Sequence, residues 1–116
     1  MSEGRIMRIY ELTFILNPSL DDEAVRAQIT NIETQIKGYG GNILEIQYLG
    51  MKAFAFMVKG SRQGNYFTVY YEAAPNVCRQ IETALKLNEA IYRFLTVVLA
   101  PAEYKPQPKE ETQALS

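Results

Sequence analysis

Histidine is absent from this 116-residue chain, and cysteine occurs once, at Cys78. Those two scarcities remove whole classes of chemistry. Zinc sites of the usual Cys/His kind need several such ligands, so none is expected, and no cofactor is called for. Serine–histidine and cysteine–histidine catalysis lack their base. A single cysteine forms no internal disulfide, which fits a reducing compartment. No apolar run approaches the roughly 20 residues of a membrane-spanning helix. The start, Met1-Ser-Glu-Gly-Arg-Ile6, lacks the apolar core of a secretion signal. Positive charge is not in excess either: 12 Lys and Arg stand against 13 Asp and Glu, a formal charge of −1. Such a chain has no global attraction for nucleic acid, and any such role must rest on local clustering.

What remains is an ordinary globular mixture, 47 % apolar and 22 % charged, enough for one domain with a modest core. Met7 to Leu16 alternates as a strand, with Tyr10, Leu12, Phe14 and Leu16 on one face. Asn17-Pro18-Ser19 breaks it, and Ser19 or Asp21 can cap the helix that follows. Val25, Ile29, Ile32 and Ile36 form the apolar stripe of that helix, which Gly38 or Gly40 stops. Asn42 to Leu49 is a second strand; Gly50 marks a bulge, and strand character resumes from Lys52 to Val58. A turn cluster is expected over Gly60 to Asn65, followed by an alternating strand from Tyr66 to Ala73. Pro75 opens a second helix with Val77, Ile81, Ala84 and Leu85 inward and Asn88 at its end. The last strand runs from Ala90 to Leu99, and Pro101, Pro106 and Pro108 exclude regular structure after it.

This order, strand–helix–strand–strand–helix–strand, with a single apolar stripe on each helix, predicts an α+β fold. The expected arrangement is the ferredoxin-like split βαββαβ, a four-stranded antiparallel sheet with both helices on one face. The domain is expected over residues 7–100, with an N-terminal extension at 1–6 and a flexible C-terminal tail at 101–116. The other sheet face is left uncovered. Arg93 lies in the last strand beside an uncharged run, Phe94 to Leu99, and burying it unpaired would cost several kcal/mol. It must therefore face solvent or a partner.

Several residue groups invite a functional reading. Gly38-Tyr-Gly-Gly41 is better read as a helix stop, because a phosphate loop must lead into a helix N-terminus. Asp21, Asp22 and Glu23 are adjacent helical residues that diverge, which suits a charged first turn better than a metal site. Cys78 has no partner base and reads as a small side chain at the core edge. Tyr66 and Tyr70 project together onto the uncovered sheet face. Sheet aromatics of this kind stack single-stranded bases in some RNA-binding modules, or pack against a protein partner. Arg8, Lys52, Lys86 and Arg93 fall at sheet ends or rims, where a phosphate backbone could be met.

Met7-Arg-x-Tyr-Glu11, Leu16-Asn-Pro-x-Leu20, Tyr39-Gly-Gly-x-Ile43, Leu49-Gly-x-Lys-x-Phe-Ala-Phe56, Gly64-x-Tyr-Phe67 and Leu87-Asn-Glu-x-Ile-x-Arg-Phe-Leu95 occur in colinear order. Together they resemble the bacterial small-subunit ribosomal protein six family, from Met7 to about Leu99. The resemblance implies the same fold and a non-catalytic role: a structural constituent of the small ribosomal subunit, in the cytoplasm at the ribosome. It implies binding to central-domain rRNA as a heterodimer with small-subunit ribosomal protein eighteen, a partner that carries much of the positive charge. Carried over by position, the rRNA-contacting basic sites fall on Arg8, Lys52, Lys86 and Arg93, holding phosphates rather than reading bases. Ala53, Asn88 and Tyr92 depart from the family's basic pattern, which implies heavier dependence on the partner. The alternative is a ferredoxin-like regulatory or ligand-binding domain that homodimerises through its open sheet face. An enzyme on the same topology lacks an acid–base apparatus.

Overall fold

In the computed structural model, which describes residues 7–58 and 61–104, the elements follow the expected order. They are β1 (Arg8–Leu16), α1 (Asp22–Gly38), β2 (Asn42–Val58), β3 (Ser61–Ala73), α2 (Pro75–Lys86) and β4 (Ile91–Leu99). The strands form one antiparallel sheet in the order β2-β3-β1-β4, with β1 paired on both sides. This is the ferredoxin-like split βαββαβ arrangement.

Alternation along β1 decides which residues meet the helices. Tyr10, Leu12, Phe14 and Leu16 are all buried and join Phe67, Val69, Tyr71, Ile32, Ile36, Ile81 and Leu85 in one core. Rings pack across that face: Phe14 stacks on Phe67 at 5.6 Å, while Tyr48 lies tilted 4.8 Å from Phe67 and Tyr10 tilted 5.4 Å from Tyr71. Aromatic pairs at these separations contribute beyond the area they bury. The intervening residues of β1, namely Ile9, Glu11, Thr13 and Ile15, point to the opposite face.

Helix termini follow local chemistry. Asp21 is the N-cap of α1, its Oδ1 accepting from the Ala24 amide at 2.8 Å. The acidic first turn is thus a capping device. At the other end Gly40 has φ of +107°, and the Gly41 amide donates to the Ile36 carbonyl at 2.8 Å. The glycine run is a helix stop that turns the chain into β2. Pro75 stands in the first turn of α2, where its missing N–H costs nothing.

Three boundaries differ from the sequence reading. The cluster beginning at Gly60 is not a turn through Asn65, because β3 already starts at Ser61 and pairs there with Val58. The ladder continues through Lys52↔Gly64 and Ala53↔Gln63. Backbone pairing between two long strands runs past the buried zone, so turn-forming composition does not end it. Helix α2 ends at Lys86 rather than Asn88. The Asn88 carbonyl and side chain instead accept from the amides of Ile91 and Ala90, shaping the corner into β4. Finally, Pro101–Glu103 forms a single 3₁₀ turn, with the Ala100 amide donating to Glu103 Oε1 at 2.6 Å. Proline suits that first position. Gly50 behaves as expected: β2 continues through it with φ of +97° and a register shift against β3.

Replacing Leu12 by alanine should destabilise the fold by about 2–5 kcal/mol, because Leu12 is fully buried on the central strand. Leu95→Ala, on a side chain that is 65 % exposed, should stay within about 0.5 kcal/mol of wild type. Chemical denaturation of both variants checks the difference.

Candidate nucleic-acid interface

The register defines a row-by-row map of the uncovered face. Side chains directly opposite one another in antiparallel strands lie on the same side. One row, at the end where β1 finishes, carries Arg93, Ile15 and Tyr66. The next holds Leu95, Thr13, Thr68 and Gln47, with the two threonine hydroxyls 3.2 Å apart. A third holds Val97, Glu11, Tyr70 and Glu45, and a fourth Leu99, Ile9, Glu72 and Asn42.

Three of the four basic residues singled out from sequence share one end of the molecule. Arg93 is exposed in the first row. Lys52 pairs with Gly64 just beyond that row, and its ammonium lies 5.8 Å from the Tyr66 ring centroid, within cation–π range. Lys86 is the last residue of α2, which runs back along the sheet to the same end, and it lines a groove with Tyr92, Arg93 and Phe94. Arg8 is not brought to this cluster. It starts β1, seven residues before Ile15, or roughly 24 Å away along the strand. Sequence position alone had put all four on sheet rims without saying which rims coincide.

The two tyrosines of the open face differ. Tyr66 sits in the row of Ile15 and Arg93. Tyr70 stands between two carboxylates, donating its hydroxyl to Glu11 Oε2 at 2.8 Å. Tyr104 lies against it, with ring centroids 5.1 Å apart, and donates to Glu45 Oε1 at 3.0 Å. Gln47 Nε2 donates to the other oxygen of Glu45 at 2.9 Å. Burial, reinforced by Glu11 and then Glu45, pushes the Tyr70 phenol up to about 12, and burial together with Glu45 also raises Tyr104. This Glu11–Tyr70–Glu45–Tyr104 arrangement was not foreseen. Its members come from three strands and the C-terminal turn, and no periodicity links them.

The remaining candidates carry no chemistry. Cys78 is buried, and burial pushes its thiol above the ordinary range despite a nearby Tyr71 hydroxyl. A thiol so shifted is a poor nucleophile. Tyr66, Tyr70 and Arg93 lie on the open face of the sheet.

Fold and site together define an α+β protein with an open sheet face and cations gathered at one end of it. The sequence model of the family described as Ribosomal protein S6 matches residues 9–98. The chain is 35 % identical over 91 residues to small ribosomal subunit protein bS6 of Campylobacter curvus, covering 78 % of this chain and 64 % of that protein. The chain thus spans just under two thirds of that relative's length. Against bS6 of Thermosynechococcus vestitus the match is 32 % over 111 residues, with 96 % of this chain and 97 % of the relative covered. The crystal structure of 30S ribosomal protein S6 from Thermotoga maritima superposes with a TM-score of 0.79 at 24 % identity, covering 94 % and 98 % of the two chains. This chain belongs to the ribosomal protein S6 family. The family is structural and non-enzymatic, and its members are cytoplasmic proteins of the ribosome.

The Tyr70 shift has a measurable sign. A phenol held above its unfolded value of 10.0 contributes stability that is complete below pH 10 and lost as pH rises toward 12. Stability of the wild-type chain should therefore fall across pH 10–12. Tyr70→Phe should flatten that fall in part, since Tyr10, Tyr71 and Tyr104 are also raised. Denaturant midpoints measured from pH 9 to 12 test this.

Proposed function

We propose that this chain is a structural constituent of the small ribosomal subunit that binds central-domain rRNA as a heterodimer with small-subunit ribosomal protein eighteen, supporting subunit assembly and translation. Membership in the S6 family supports the ribosomal role. The observation that carries the RNA-binding part is the gathering of Lys52, Lys86 and Arg93 at one end of an otherwise near-neutral chain. Lys52 and Arg93 stand three strands apart at that end, about 14 Å at ordinary strand spacing. That span allows the two cations to meet different phosphates of one backbone. These residues position the RNA, and Arg8 makes a separate contact at the far end of β1.

The heterodimer is what the family resemblance implies, and the charge balance is compatible with it. Phosphate binding is driven by counterion release in proportion to the phosphates neutralised. Three clustered cations on a chain of charge −1 give weak binding, and a basic partner would supply the rest of the footprint. Tyr66, beside Lys52, belongs to the RNA-facing end. Tyr70, beneath Tyr104, belongs to the part of the face that meets protein.

A salt-series binding assay on a central-domain rRNA fragment, with and without the eighteenth protein, tests the proposal. The expected result is weak binding alone and clear binding as the pair. Arg93→Ala should lower the slope of log affinity against log salt by about 1. A stable homodimer that ignores both the RNA and that partner would favour the regulatory-domain alternative and overturn the proposal.

A further inference from the structure

Nothing in a βαββαβ domain requires the chain to return over its own open face after the last strand, yet this one does. β4 ends at Leu99 at the sheet edge, and the 3₁₀ turn at Pro101–Glu103 redirects the backbone. Tyr104 then arrives above Tyr70, across β1 from the strand it left. The turn is self-closed through the Ala100 amide and the Glu103 carboxylate, and proline pre-sets its first residue. Ala100 to Glu103 are exposed. Among the described residues, Tyr104 ties the segment to the sheet through a ring contact and the hydrogen bond to Glu45.

We infer that Pro101–Tyr104 is a strap that closes the carboxylate end of the sheet face in the free protein, and that a basic protein segment docking along the face must lift it. The strap stands on the geometry alone; the identity of what lifts it rests on the heterodimer reading above. The groups beneath the strap choose the class of partner. Glu11 and Glu45 flank Tyr70, so the uncovered surface repels phosphate and welcomes an ammonium or guanidinium, which also stacks on a tyrosine face. The Lys52–Tyr66–Arg93 end has the opposite preference and lies outside the reach of Tyr104. One sheet face is thus divided between RNA and protein, and the protein half is shut until the partner arrives. Among the described residues, the ring contact and the hydrogen bond of Tyr104 make a light latch, one that a charged donor displaces readily.

Hydroxyl-radical labelling of the full chain, read by mass spectrometry at individual tyrosines, tests the strap. Tyr104→Ala should raise labelling of Tyr70 at least about twofold while Tyr66 stays unchanged; Tyr104→Phe, which keeps the ring and loses the bond to Glu45, should fall between. Unchanged Tyr70 labelling in Tyr104→Ala overturns the inference, and so does an equal rise at Tyr66, which the strap does not cover. In a second arm, Tyr104→Ala should bind the eighteenth protein about three- to tenfold more tightly than wild type, the range a single light latch allows. Equal or weaker binding overturns the inhibitory role. If the wild-type chain does not bind that protein at all, the heterodimer reading fails, and the labelling still decides whether the strap exists.

Discussion

The double pairing of β1 is the constraint on which the rest of this molecule depends. β1 is hydrogen-bonded to β3 on one side and β4 on the other, so its register is set twice. Because side chains alternate with a period of two, a one-residue slip would bury Glu11 and Thr13 and expose Leu12 and Phe14. Only one register places Phe14 against Phe67 and Leu12 against Val69 under the helices. That register simultaneously lines up Arg93, Ile15 and Tyr66 on the other side. The core and the composition of the open face are two consequences of the same pairing.

The outer face is asymmetric along the strand axis. Its Arg93 end gathers cations, and its Val97 end gathers carboxylates bridged by phenols. A chain with almost balanced charge can still present a locally positive end when its few cations are placed together, since in salt the field is local over about a Debye length. Separation of the two signs on one sheet also orients any ligand laid across it. A uniformly basic face would bind more strongly but would leave orientation to contacts elsewhere.

Physical reasons separate what was readable from what was not. The β1 alternation, the α1 stripe and the proline at the start of α2 are local patterns, and each produced the expected element. The turn cluster after Gly60 misled because residue preferences there compete with a backbone ladder between two long strands, and the ladder wins. The uncovered face was inferable from one apolar stripe per helix. The meeting of Glu11, Glu45, Tyr70 and Tyr104 was not, because those residues are separated by up to 93 positions and share no period.

The sequence alone determined the element order, the two faces of each strand and, through the absence of histidine, the lack of any histidine-based catalytic apparatus. Its colinear motifs also pointed to the family that the comparisons established. Tertiary structure alone decided which rims coincide: it brought Lys52, Lys86 and Arg93 to one end and left Arg8 at the other. It also laid Tyr104 over Tyr70. The division has a simple cause. Local periodicity encodes which way a side chain faces, whereas proximity across strands depends on register and topology, which are set only when the whole sheet has formed.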